Sequence, residues 1–78
     1  MLDELSMIAK SILDDGGEFW PLEEKDNIKM YKSITHYMVK GHQYNNCMYQ
    51  IFDNGRRVFS HKEYTAALAF YRSLVKGR

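Results

Sequence analysis

The hydrophobic repeat of this chain changes period twice, and that change limits the folds open to it. Leu5, Ile8, Ala9, Ile12 and Leu13 recur at the spacing of one helical face. From Ile28 the repeat shortens to two. Ile28, Met30, Ile34, His36 and Met38 share one strand face, and Lys29, Tyr31, Ser33, Thr35, Tyr37 and Val39 share the other. Tyr64, Ala67, Leu68, Tyr71, Leu74 and Val75 then return to helical spacing. A chain that passes from 3.6 to 2 and back to 3.6 is α+β, with a helix at each end of a sheet.

Local signals place the boundaries. Asp3 is suited to cap the first helix, Glu4 favours the positive end of its dipole, and Gly16-Gly17 ends it. Asp14 and Asp15 stand at the end where that dipole disfavours acids. Residues 16–27 show no period and read as a connector, with Phe19 and Trp20 folding back as a plug over the core. Residues 41–46 read as a loop, followed by a second strand from about Cys47 to Asp53. Asn54-Gly55 is a strong hairpin signal, because both central residues of a type I′ turn need positive φ. A third strand covers residues 56–59, with Asp53 facing Arg56 and Ile51 facing Val58. Ser60 and Glu63 form a capping box for the last helix, Phe59 and Tyr64 its hydrophobic staple, and Gly77 its end. The expected order is α-β-β-β-α. A three-stranded antiparallel sheet with both helices packed on one face, in a single domain over residues 1–78, is the simplest arrangement.

Charge is sorted along the sequence. Residues 1–26 carry eight acids against two bases, and residues 27–78 carry nine bases against two acids, so a net charge of +1 conceals a dipolar chain. Such asymmetry bears on partners and association rates. All six tyrosines lie in the basic part. The single cysteine, Cys47, excludes an internal disulfide. No apolar run reaches the roughly 18 residues that a membrane-spanning helix needs. The acidic N-terminal region does not resemble a secretory signal. A cytoplasmic protein without membrane attachment is the expectation.

Chemistry-bearing patterns are sparse. His36, His42, His61 and Cys47 match no standard zinc spacing, so neither metal nor other cofactor is expected. Cys47 opens a strand rather than a helix, a setting that does not activate a thiol. No phosphate-binding glycine loop is present, and the chain is not expected to be an enzyme. Two binding surfaces remain. Lys29, Tyr31 and Tyr37 share a strand face, and with Arg56, Arg57 and Lys62 they offer cations and flat rings to nucleic acid. Asp14, Asp15, Glu18, Glu23, Glu24 and Asp26 form the opposite candidate, an acidic surface for a protein partner.

Two resemblances bear on the choice. The α-β-β-β-α order resembles the double-stranded-RNA-binding domain, together with Gly41-His42 after the first strand and Ser60, Lys62 and Ala66-Ala67 in the last helix. That family places a lysine cluster at the start of this helix, where Ser60-His61-Lys62-Glu63-Tyr64 provides one lysine beside an acid. The chain is also similar in type to small bacteriophage-encoded inhibitors, including anti-CRISPR proteins. They are compact α+β domains with sorted charge, and here Phe59-Ser60 leads into an aromatic-rich helix. That resemblance implies a non-catalytic inhibitor which occupies a nucleic-acid-binding surface on a host protein or ribonucleoprotein complex. The alternative is direct binding of a double-stranded nucleic acid through the basic sheet and hairpin, and a third reading is a small regulator that dimerises through its sheet edge.

Overall fold

The computed structural model describes residues 3–77. The order is α1 (Glu4–Asp14), β1 (Glu18–Lys25), β2 (Ile28–Val39), β3 (His42–Asp53), β4 (Arg56–His61) and α2 (Tyr64–Lys76). The strands form one antiparallel sheet in sequence order, β1-β2-β3-β4. The α+β class holds, with four strands instead of three.

The additional strand is β1, which occupies the segment read as a connector. Its sequence, EFWPLEEK, conceals the alternation because a proline and a bulge interrupt it. Pro21 has no N–H to give a ladder and is tolerated because β1 is an edge strand. The register shifts between Pro21 and Glu23, and Leu22 at that shift packs into the core. Phe19 and Trp20 therefore form no plug. They sit on opposite faces, Phe19 beside Ser33 and Trp20 beside Lys32.

Two further expectations change. Residues 41–46 are not a loop: β3 begins at His42, and Lys40-Gly41 is a two-residue turn with φ of 51° and 82°. Lysine is an uncommon residue at positive φ, so the sequence carries no Asn-Gly signal there. Asn54-Gly55 does make the expected tight turn, with φ of 56° and 84°. Asp53 faces Arg56 as expected, but a register shift between Ile51 and Phe52 leaves Ile51 opposite Phe59 rather than Val58.

The helices lie on opposite faces of the sheet, not on one. Ala67 and Tyr71 of α2 pack against Ile28, Met30 and Ile51, joined at the margin by Leu22, Tyr49 and Phe59. The strand residues between these point the other way, and there Phe52, Ser33 and Gln50 are buried. Phe19 stacks on Tyr31 with centroids 4.6 Å apart, and both rings meet Phe52 edge-on. A polar chain runs beside them. The Arg57 guanidinium donates to Gln50 Oε1 at 3.2 Å, and Gln50 Nε2 donates to Ser33 Oγ at 2.9 Å. α1 closes this second face. Glu4 Oε1 accepts the Arg57 N–H at 2.6 Å, and the Leu5 N–H donates to the Gly55 carbonyl at 2.9 Å.

The helix ends show which local signals operated. Asp3 caps α1 as expected, its Oδ1 accepting the Ser6 N–H at 2.8 Å. That bond, helped by the Ser6 hydroxyl, holds the Asp3 carboxyl below the usual carboxylate range. Ser60 does not cap α2, because it belongs to β4 and the helix begins at Tyr64. Phe59 consequently stacks on Phe70, with centroids 4.3 Å apart, instead of stapling Tyr64. His61 supplies the acceptor: its Nδ1 takes the Glu63 N–H at 2.9 Å.

Three expectations follow. Gly17 has an ordinary φ, yet a Cβ there would lie 2.5 Å from the Ile34 carbonyl oxygen and 2.9 Å from Ile12 Cγ2. Gly17→Ala should destabilise the domain by about 1–3 kcal/mol, read from the urea midpoint. Ser60→Ala should change stability by less than about 0.5 kcal/mol. His61→Ala, which removes the acceptor at the helix entry, should cost about 0.5–1.5 kcal/mol in the same measurement.

Candidate functional site

The six candidate acids are all exposed, and β1 organises them. Asp14 is the last residue of α1, Asp15 its C-cap, and Glu18 the first residue of β1. Glu23 and Glu24 lie near the far end of the strand, and Asp26 forms the turn beyond it at φ 57°. At about 3.3 Å per residue the two groups stand roughly 20 Å apart along one sheet edge. Two acids are offset locally. Lys10 Nζ lies 2.9 Å from Asp14 Oδ2, and Lys29 Nζ lies 3.9 Å from Glu24 Oε1. Among the described residues Asp15, Glu18, Glu23 and Asp26 carry no ion pair. Acids on an edge strand also repel a second strand, so this row keeps the sheet from extending at β1.

The candidate nucleic-acid residues do not converge. Lys29 and Tyr31 share a face, but Lys29 approaches Glu24 and the Tyr31 ring is committed to Phe19 and Phe52. Tyr37 lies on that face roughly 20 Å further along β2, stacked on Tyr44 with centroids 5.6 Å apart. Arg56 and Arg57 point to opposite faces, since one pairs with Asp53 and the other with Phe52. Lys62 follows β4 and is exposed. Arg78, counted in the basic part of the chain, lies outside the described residues.

The histidines and Cys47 are likewise dispersed. His36 Nδ1 lies 2.6 Å from Asn45 Oδ1, and His42 belongs to the other face, opposite Val39. Among the described residues no three His, Cys, Asp or Glu side chains form a group that could hold a metal ion. No helix among them is long and apolar enough to cross a membrane.

Two features escaped the sequence. A row crosses the whole sheet on the α2 side: Trp20, Lys32, Tyr49 and His61 stand in register on successive strands. Lys32 Nζ lies 5.5 Å from the Trp20 ring centroid and 5.9 Å from that of Tyr49, a cation held between two aromatic faces. Alternation within β2 puts Lys32 on the face of Met30, but its partners come from β1 and β3, whose register the sequence does not give. The second feature is an arm. β1 reaches only Ile34 and β4 only Tyr49, whereas β2 and β3 continue paired to Val39 and His42. Residues 36–46 are all exposed.

The acidic edge also reaches the core electrostatically. Burial pushes the Tyr71 hydroxyl above the usual phenol range, and the carboxylates of Glu23, Glu24 and Asp26 add to the shift.

No protein-family model, curated protein or solved structure matches the chain. The element order α-β-β-β-β-α differs from the three-stranded order on which the likeness to the double-stranded-RNA-binding domain rested.

The raised Tyr71 value has a stability consequence. In the unfolded chain the phenol ionises at its ordinary value. The contribution is therefore complete below that value and is lost as pH rises through the higher folded value. Wild-type protein should lose stability in this alkaline window, and Tyr71→Phe should lose less of it, as read from thermal melts at stepped pH.

Proposed function

We propose that this chain is a non-catalytic binding protein that lays its acidic edge against a basic, nucleic-acid-binding surface of a larger complex. In this reading it is an inhibitor of the phage or mobile-element type, acting on a host ribonucleoprotein such as a CRISPR–Cas effector. One observation carries the reading. Asp14, Asp15, Glu18, Glu23, Glu24 and Asp26 are exposed along and around one edge strand, while the cations are spread over both faces. A linear array of carboxylates complements a cationic groove in sign and in shape, and complementary potentials steer encounter and fix orientation. A thin sheet edge also enters a channel more readily than a broad face does.

The test compares two sets of charge reversals. Lysine at Asp15, Glu18 and Glu23 should abolish the protein's ability to displace duplex from a purified effector complex, with the melting temperature retained. Glutamate at Arg56 and Arg57 should leave displacement largely intact. A wild-type chain that binds bare duplex tightly at physiological salt, and loses this with Arg56 and Arg57, would establish direct nucleic-acid binding instead.

A further inference from the structure

The sheet has four exposed stretches of strand edge, and the two along the arm are left open to pairing: the outer side of residues 35–39 in β2 and the outer side of residues 42–48 in β3. β1 is blunted by Pro21, a bulge and its acids. β4 is blunted by a bulge and by Arg56 and Arg57. The arm has none of these devices. Its register runs without interruption from Thr35–Asn46 to Val39–His42. Among the described residues no strand pairs with the outer side of residues 35–39, because β1 stops opposite Ile34. Of the two, the β2 edge carries the better strand formers, Thr35, Tyr37 and Val39, whereas the β3 edge carries Gln43, Asn45 and Asn46. Among the described residues, four of the eight exposed large hydrophobic ones, Tyr37, Met38, Val39 and Tyr44, are concentrated on this short segment.

We propose that the arm binds a second copy of the same chain, β2 against β2 in antiparallel register about a two-fold axis at Tyr37. Three observations commit the surface to this occupant. The free edge is self-complementary in length: five residues bounded at one end by the Lys40-Gly41 turn and at the other by the start of β1. With Tyr37 opposite its symmetry mate, Thr35 faces Val39 and His36 faces Met38 across the interface. The two stacked Tyr37–Tyr44 pairs then join into a row of four rings on one face. Charge agrees as well. The same register sets the end of β2 in one copy against the start of β1 in the other: Glu18 already fills the place opposite Ile34, and Lys40, in its turn, meets it end-on. Asp14 and Asp15 stand at this corner, and the two lysines lie at opposite ends of the interface. An isologous contact of this kind closes after two chains and cannot grow into a fibre. Its small area makes the association weak and concentration-dependent. The contact does not rest on what the acidic edge binds, although Glu18 belongs to both surfaces.

Sedimentation equilibrium over a concentration series is the direct test. The mass should rise from that of one 9.2 kDa chain towards twice that value. Lys40→Glu should hold the protein at one chain, because it sets acid against Glu18. Adding Glu18→Lys should restore pairing, which a merely misfolded arm would not do. In a Cys47→Ser background, Tyr37→Cys should form an interchain disulfide on mild oxidation. Residues facing each other across an antiparallel pair have Cα atoms about 4.5–5.5 Å apart, within disulfide reach. Arg56→Cys in the same background should not cross-link. A mass that stays at one chain up to the solubility limit would overturn the proposal. So would a dimer unaffected by Lys40→Glu.

Discussion

Twelve consecutive residue pairs between β2 and β3 hold this fold together. The ladder runs from Ile28–Asp53 to Val39–His42 without a bulge, and every other element attaches to one of its sides or faces. Its lower half is loaded on both faces. Met30 and Ile51, paired with each other, present the surface that α2 covers. Phe52, Ser33 and Gln50 present the opposite surface, which α1 closes with help from β1 and β4. A domain of this size buries limited apolar area, and splitting that area between two faces leaves each layer thin. Aromatic packing compensates, since Phe19, Tyr31 and Phe52 on one side and Phe59 and Phe70 on the other contribute large contacts per residue.

What the sequence disclosed depended on whether a residue's partners were local. The two helices, the alternation of β2, the Asp3 cap and the Asn54-Gly55 turn are encoded within a few residues, and each was legible, although Leu13 and Tyr64, read on the apolar helical faces, are exposed. β1 was not, because Pro21 and the bulge at Leu22 erase its alternation; only pairing with β2 makes it a strand. Ser60 carried a sound capping signal that lost to the β3–β4 ladder, which keeps it extended opposite Gln50. The acids of the candidate site could be counted in the sequence. Their alignment along one edge could not be seen, because it required β1 to exist. The cation between Trp20 and Tyr49 shows the same limit, since three strands contribute to it.

The charge sorting acquires a geometric meaning in the sheet. Sequence order and strand order coincide, so a gradient along the chain becomes a gradient across the molecule. β1 with its flanking turns is the acidic border, and β4 with Arg56 and Arg57 is a basic one. A sheet of this kind carries a lateral dipole made of side chains, whereas alternating strand dipoles largely cancel. Such a dipole orients the molecule before contact, whichever charged surface it approaches.

The unbroken register of the central hairpin has one more consequence. Beyond Ile34 and Cys47 no core lies under the strands, so burial cannot decide which side chains face which way. Elsewhere a slip by one residue would expose a hydrophobic face and be rejected on that ground. In the arm, alignment is inherited instead. Met30 against Ile51, locked beneath α2, already determines that Tyr37 will meet Tyr44 seven residues further on. The buried half acts as a ruler for the exposed half, and the Lys40-Gly41 turn, with lysine where asparagine usually favours positive φ, closes where the ruler ends. The tip can therefore change in sequence without losing its alignment, while a distant change in the core would rotate every side chain the arm displays.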